Sequence, residues 1–259
     1  MNSFAIVIPA YNETLTIRYV ILEALKLTPL VIVVNDASMD DTAEIVQTTD
    51  AIVINLPQNG GKAHALQMGF NKALSLDVDA VITLDGDAQH NPADVPKLWE
   101  CFKSSPNTLC IGSRLKDRQN APRSRRIANG IADFWVGWAA GQPIADSQSG
   151  FRLYPSQLLK QLVFPYDNKS GFVFESEVLI DAAHLGHRFA FIPIDTVYAE
   201  NRRASHFRAG FDITQITFMV AKKLFNRWMN ISGLVMSLTQ KANIIEPKIK
   251  NKEYSNDNQ

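Results

Sequence analysis

Four times within the first 87 residues, a short run of apolar, mostly β-branched residues breaks off into polar, turn-forming ones: FAIVIP into AYNE, LVIVVN into DAS, AIVINL into PQNGGK, and AVITL into DGD. These runs predict strands at Phe4–Pro9, Leu30–Asn35, Ala51–Leu56 and Ala80–Leu84, with a fifth at Thr108–Gly112. Between them, helical patterns fall near 14–26, 40–48, 62–75, 93–104 and 124–140. Strands that are apolar throughout, rather than alternating, are those of a parallel sheet whose two faces are both covered by crossover helices. The chain is therefore expected to be an α/β protein with a mostly parallel central sheet flanked by helices.

After about Gly141 the rhythm loosens into a strand at Gly150–Tyr154, a helix near 174–186, a strand at Phe189–Val197, a polar loop at 199–209 and a long helix at 211–229. No linker separates the halves, which predicts one domain over 1–239, with halves at 1–113 and 114–239, and a polar, frayed tail at 240–259. Lys plus Arg and Asp plus Glu both number 26, so no global basic field draws the chain to nucleic acid. Cys101 and Cys110 are too few for a disulfide framework and read as core residues of a protein in a reducing compartment. MNSFAIVIPAYNE enters a strand pattern at once and lacks the basic region and cleavage site of a signal peptide, so a cytoplasmic location is expected, either free or at the inner face of the membrane. Lys222, Lys223 and Arg227 interrupt the one long apolar region, which excludes a membrane span there. Its stripe of Ile213, Ile216, Val220, Leu224 and Trp228 suits packing on the sheet better than peripheral membrane contact.

In open α/β sheets ligands bind outside the carboxyl ends of the strands, so the residues that end strands carry the information. Asp85 and Asp87, one residue apart where the fourth strand gives way to a turn, can bring two carboxylates to one point. Without a counter-charge that arrangement is repulsive; a divalent cation such as Mg²⁺ or Mn²⁺ resolves it, with water and substrate diphosphate completing the shell. Gln89 and His90 stand close enough to join or support it. Tyr11 offers a stacking face, Asp36 an acceptor for nucleotide donors, and Lys62 an ammonium at a glycine-flanked helix start that favours phosphate. Neither G-x-x-x-x-G-K-[ST] nor G-x-G-x-x-G occurs, which argues against a P-loop kinase and a dinucleotide dehydrogenase.

Taken together, VIPAYNE (7–13), VVNDASMDDT (33–42), NGGKAHAL (59–66), LDGDAQHNP (84–92), GSR (112–114) and DSQSGFRLYP (146–155) resemble family 2 glycosyltransferases of GT-A fold, nearest the dolichyl-phosphate mannose synthase-like branch. SHFR (205–208) before a final helix resembles a subgroup without transmembrane spans. The resemblance implies a Rossmann-like nucleotide-sugar-binding half followed by an acceptor-facing half. Pro9, Tyr11, Glu13 and Asp36 would hold the nucleoside and Lys62 would lie by the nucleotide. Asp85, Asp87 and Gln89 would hold the metal on the diphosphate, and Arg114 with the Asp146–Arg152 segment would face the acceptor and the transferred sugar. Three places depart from the pattern: Asn35 replaces the first of a usual aspartate pair, Ala63 a usual glycine, and Arg202-Arg203-Ala204-Ser205-His206-Phe207-Arg208 the Arg…Gly-x-Ser-Lys stretch usual in the lipid-phosphate branch.

The implied activity is inverting, metal-dependent transfer of a hexose from a UDP- or GDP-sugar to a lipid-linked phosphate or a glycan. A hydroxyl acceptor needs a base, for which Asp146 ranks first and Glu175 and Glu177, read as exposed, follow. An ionised lipid phosphate needs none, and then Arg114, Arg123, Arg125, Arg126, Arg202 and Arg203 would matter as a clamp. His64, His184 and His187 read as surface or packing residues, and His206 as part of a lid over the diphosphate. Competing readings are a sugar-phosphate nucleotidyltransferase, whose glycine-rich Arg-Lys loop is absent here, and a non-catalytic nucleotide-sugar-binding module.

Overall fold

The structure, a computed structural model, describes residues 3–115, 123–163, 171–194 and 209–246. Among these, seven strands form one sheet in the order β3-β2-β1-β4-β6-β5-β7. The strands are β1 (Phe4–Ala10), β2 (Val31–Asn35), β3 (Ile52–Asn55), β4 (Ala80–Thr83), β5 (Thr108–Ser113), β6 (Arg152–Pro155) and β7 (Arg188–Pro193). Helices α1 (Ile17–Leu25), α2 (Thr42–Gln47), α3 (Gly61–Leu74) and α4 (Val95–Ser104) in the first half, and α5 (Arg123–Ala140) at the start of the second, fall where the apolar periodicity predicts. They are followed by α6 (Ser156–Gln161), α7 (Gly171–His184), α8 (Ala209–Phe225) and α9 (Ile231–Thr239).

Successive side chains of a strand point to opposite faces, and β1 shows why its run had to be apolar throughout. Ala5 and Val7 pack with Ile32 and Val34 against α3, α7 and α8, whereas Ile6 and Ile8 pack with Val31 and Val33 against α1 and α4. Both layers are closed, and burying each of these side chains contributes roughly 1.5–3 kcal/mol. Cys101 and Cys110 are free, buried thiols in the second layer, as expected of core residues. β1 pairs in parallel with β2 on one side and with β4 on the other. The strand order therefore reverses between β1 and β4, which opens a crevice at their carboxyl ends.

Beyond β5 the sheet stays mostly parallel, as expected, and two segments depart from the sequence reading. β6 runs antiparallel to both β4 and β5, with Thr83 opposite Arg152, so the sheet is mixed. The long helix predicted at 211–229 ends at Phe225, because Trp228, Met229 and Asn230 all take left-handed backbone angles; α9 then starts afresh, capped by the Asn230 side chain on the Gly233 N–H. Of the tail expected to fray, 247–259 lie outside the described residues, but 243–245 add to β7: the Phe191 N–H donates to the Asn243 carbonyl and the Ile245 N–H to the Phe191 carbonyl, each at 2.9 Å. The helix α8 buries Ile216, Val220 and Leu224 in the first layer, in line with core packing, but Trp228, assigned to the same stripe, is 92% exposed. Among the described residues no helix is long and apolar enough to cross a membrane.

Candidate active site

The loops after β1, β2 and β4 are tied to one another by short-range polar contacts. The Asn12 N–H donates to Ser38 Oγ (3.0 Å), Asn12 Oδ1 accepts the Met39 N–H (2.7 Å), and the Glu13 N–H donates to Thr42 Oγ1 (2.8 Å). Thr16 Oγ1 donates to the Gly86 carbonyl between the two aspartates (2.7 Å). Asn12, Ala37 and Ala88, one in each loop, hold positive φ of 56°, 54° and 57°. Such angles cost a residue with a Cβ about 1 kcal/mol or more, and surrounding contacts must hold them. Pro9, in β1, and Tyr11 and Glu13, in the turn that follows, are half-buried at this edge.

Asp36 is buried, and its two carboxylate oxygens accept the Gly60 and Gly61 N–H groups at 2.7 and 2.8 Å. It thereby organises the first turn of α3, which carries Lys62. Asn35 donates from Nδ2 to Asn55 Oδ1 (2.9 Å) and accepts the Ser38 N–H (3.1 Å); an aspartate there could accept but not donate.

Lys62 projects from α3 into the crevice, where Nζ lies 2.7 Å from Asp85 Oδ1 and 2.8 Å from Glu175 Oε1. Burial opposes its charge, yet the two carboxylates more than offset that and raise its pKa well above the ordinary lysine value. Asp85 shows the mirror effect: burial would raise its carboxyl, but Lys62, then His90 and Arg114, hold it below the usual range. Asp87 goes the other way. Burial and the neighbouring Asp85 charge raise it, and Gln89 contacts it twice, from the backbone N–H (3.0 Å) and from Nε2 (2.7 Å). His90 is buried behind the pair, Nδ1 3.9 Å from Asp85 Oδ2, with neither ring nitrogen hydrogen-bonded; burial lowers its pKa to about 4. The ring is neutral at physiological pH.

Gly150 closes the cluster from the β6 side. A Cβ there would stand 2.8 Å from Lys62 Nζ, 2.9 Å from Glu175 Oε1 and 3.0 Å from Asp85 Oδ2, so the main chain approaches the charges as only glycine permits. Among the described residues no group of three His, Cys, Asp or Glu side chains is arranged to hold a metal ion unaided. The donor set at the crevice is two carboxylates and the Gln89 amide, hard oxygen ligands that fit Mg²⁺ or Mn²⁺ provided diphosphate and water supply the rest.

The segment expected to face the acceptor is built differently. Arg152 is fully buried, and its guanidinium donates to the Ser149, Glu175 and Ser147 carbonyls at 2.7, 2.7 and 3.0 Å. These bonds tie the 147–149 turn to α7 and occupy the side chain that was expected to face the substrate. Asp146 is also buried, accepting the Arg114 N–H (3.3 Å) and the Gln148 N–H (3.2 Å). Glu175, read from sequence as exposed, is 2% exposed and engaged by Lys62. Glu177 pairs with Lys223 Nζ (3.3 Å) on the far side of α7. Arg114, half-buried just after β5, contributes positive charge at Asp85, Asp87 and His90. His184 and His187 bond to the Ala139 and Asn107 carbonyls, as packing residues do. Arg202, Arg203 and His206 lie outside the described residues. The sequence reading missed Gly150, whose only signal was its place between Ser149 and Phe151, and the pairing of Lys62 with Glu175.

The profile of glycosyl transferase family 2 matches residues 5–163. The UDP-N-acetylglucosamine–dolichyl-phosphate N-acetylglucosaminyltransferase of Methanococcus voltae is 29% identical over 231 residues, spanning 80% of this chain and 92% of that protein. The undecaprenyl-phosphate mannosyltransferase of Micrococcus luteus is 27% identical over 204 residues, 75% of this chain and 83% of that one. Glucosyl-3-phosphoglycerate synthase from Mycobacterium tuberculosis, solved with Mn²⁺ and UDP-glucose, shares the fold at a TM-score of 0.65 and 21% identity, over 86% of this chain and 79% of that chain. The match to the family spans more than half of the 259 residues and every strand-end motif from Pro9 to Arg152, so the protein belongs to glycosyl transferase family 2, with the GT-A fold.

Proposed function

We propose that this enzyme transfers a hexose, with inversion, from a nucleoside diphosphate sugar to a polyprenyl phosphate, and that residues 1–113 bind the donor while 114–239 face the acceptor. The observation that carries the reading is the Lys62–Asp85–Asp87–Gln89 cluster at the carboxyl end of β4, in the crevice where the strand order reverses. Asp85, Asp87 and Gln89 would hold Mg²⁺ or Mn²⁺. A metal held there would stabilise negative charge on a departing diphosphate. Lys62 adds an ammonium beside the same oxygens, while Tyr11, Pro9 and Glu13 line the nucleoside side. Two relatives named for lipid-phosphate acceptors, and a fold relative solved with Mn²⁺ and UDP-glucose, support this reading.

The carboxylates considered as bases also favour a phosphate acceptor. Asp146 and Glu175 are buried and occupied by backbone N–H groups and by Lys62. A phosphate monoester, with a second pKa near about 6, attacks as an anion and needs no proton removed. Arg114, whose charge acts on Asp85 and Asp87, would meet such an anion. The test is nucleoside diphosphate release from UDP- and GDP-sugars with Mn²⁺, Mg²⁺ or EDTA, with and without undecaprenyl phosphate, in the wild type and Asp87→Ala. Metal-dependent release stimulated by the lipid and lost in the variant is expected. Saturable donor binding without turnover would instead mark a binding module.

A further inference from the structure

The exposed apolar surface of this protein is concentrated where α5, the 228–230 turn and α9 meet. Ile131 and Trp135, one turn apart on α5, are exposed; Trp228 is 92% exposed, Ile231 71%, and Met229 and Val235 are exposed too. These residues are adjacent. The Trp135 ring stacks on Trp138 (centroids 5.2 Å, planes 25° apart), and Trp138 Nε1 donates to the Met229 and Asn230 carbonyls at 2.8 and 3.2 Å. Asn230 Nδ2 returns a bond to the Trp138 carbonyl (2.9 Å). Gly233 packs so tightly on α5 that a Cβ would stand 2.5 Å from the Trp138 carbonyl, which turns Ile231 and Val235, on the opposite side of α9, outward. The left-handed turn is thus a rigid knuckle rather than a frayed end.

Charge singles out the occupant. From Ile213 to Ile245 the chain has Lys222, Lys223, Arg227 and Lys241 and not one acid. Lys223 pairs with Glu177 and Asp181, and Lys222, Arg227 and Lys241, which flank the turn and α9 in sequence, are exposed. Amphipathic surface with tryptophan at its centre and cations at its border is the composition of a helix lying in a bilayer interface. α5 is also hydrogen-bonded to the segment expected to meet the acceptor, since Asp133 Oδ1 accepts the Ser147 N–H at 2.8 Å.

We propose that the α5–α9 knuckle is a docking surface for an anionic lipid bilayer, with Trp228, Ile231 and Val235 entering the headgroup region and the surrounding Lys and Arg side chains facing anionic headgroups. The biological purpose rests on the polyprenyl phosphate reading; the surface itself does not. The test is co-sedimentation of the full chain with vesicles of phosphatidylcholine alone or with phosphatidylglycerol, comparing the wild type with Trp228→Ser/Val235→Ser. Binding to the anionic vesicles is expected to be about tenfold tighter than to neutral ones, to weaken with salt, and to fall by a further factor of about ten in the variant. Wild type that stays in solution with both vesicles, a variant that binds unchanged, or a dimer in size-exclusion chromatography that the same substitutions dissociate would overturn the proposal. The two readings fail separately. Vesicle binding without transfer to undecaprenyl phosphate keeps the docking surface and removes the acceptor, whereas transfer in detergent without vesicle binding does the reverse.

Discussion

Two regions of this protein use the same residue types to opposite ends. At the carboxyl ends of β1 to β4, Lys62, Asp85 and Asp87 are partly open to solvent and face one another, so their charges set each other's protonation. Behind them, between β5 and α7, Asp146 and Arg152 are almost wholly buried and spend their charge on backbone N–H and carbonyl groups. A buried charge must be fully hydrogen-bonded, and one so committed has little capacity left for a ligand. The lesson is that a charged residue in a family motif is as apt to hold a loop as to touch substrate, and only its burial and partners tell which.

Four substitutions or conditions sharpen or break that comparison. Asp87→Ala carries the largest effect: nucleoside diphosphate release should fall by about 10³-fold or more while the melting temperature holds. An active Asp87→Ala enzyme would remove the distinction at its root. Arg152→Met should show the converse, a loss of stability on the order of 3–5 kcal/mol in urea unfolding, because three buried carbonyls lose their donor. Wild-type stability with abolished turnover would return Arg152 to the catalytic group. Gly150→Ala probes the seam between the regions. Its Cβ must displace Lys62, Glu175 or Asp85, so turnover and Mn²⁺ affinity should each drop about tenfold with little change in stability, a cost typical of a small misplacement in a site. Equal turnover would show that the cluster tolerates rearrangement.

The smallest effect is that of pH on folding. Burial holds His184 and His187 below the ordinary histidine value of 6.5 and His90 at about 4, so all three rings fold in the neutral form. The unfolded chain takes up these protons first as pH falls. Stability is therefore complete above 6.5 and is lost progressively below it, toward the lower folded values. Urea titrations at pH values above and below 6.5 should show this loss, and His187→Gln should flatten it without altering turnover at neutral pH. An unchanged slope would place the coupling in the strand-end region, at His90.

Much of the fold was legible because its information is local. Continuous apolar runs and helical stripes are set by neighbouring residues, and they placed β1 to β5 and α1 to α5 within a few residues of where they lie. The polar strand ends followed from the same reading, because a sheet covered on both faces can present polar groups only at its edges, and Asp85, Asp87 and Lys62 do meet there. What remained hidden depends on which segments lie side by side in space. The antiparallel insertion of β6 between β4 and β5, and the pairing of Lys62 with Glu175 across 113 residues, have no local signature. Nor does the helix break at Trp228–Asn230, where no glycine or proline marks three left-handed residues held by Trp138. The sequence by itself determined the layers and the chemistry of their edge. Only the tertiary structure decided that Arg152 and Asp146 are buried and bonded to backbone groups and that α9 turns an apolar face outward, because burial is a property of the assembled chain.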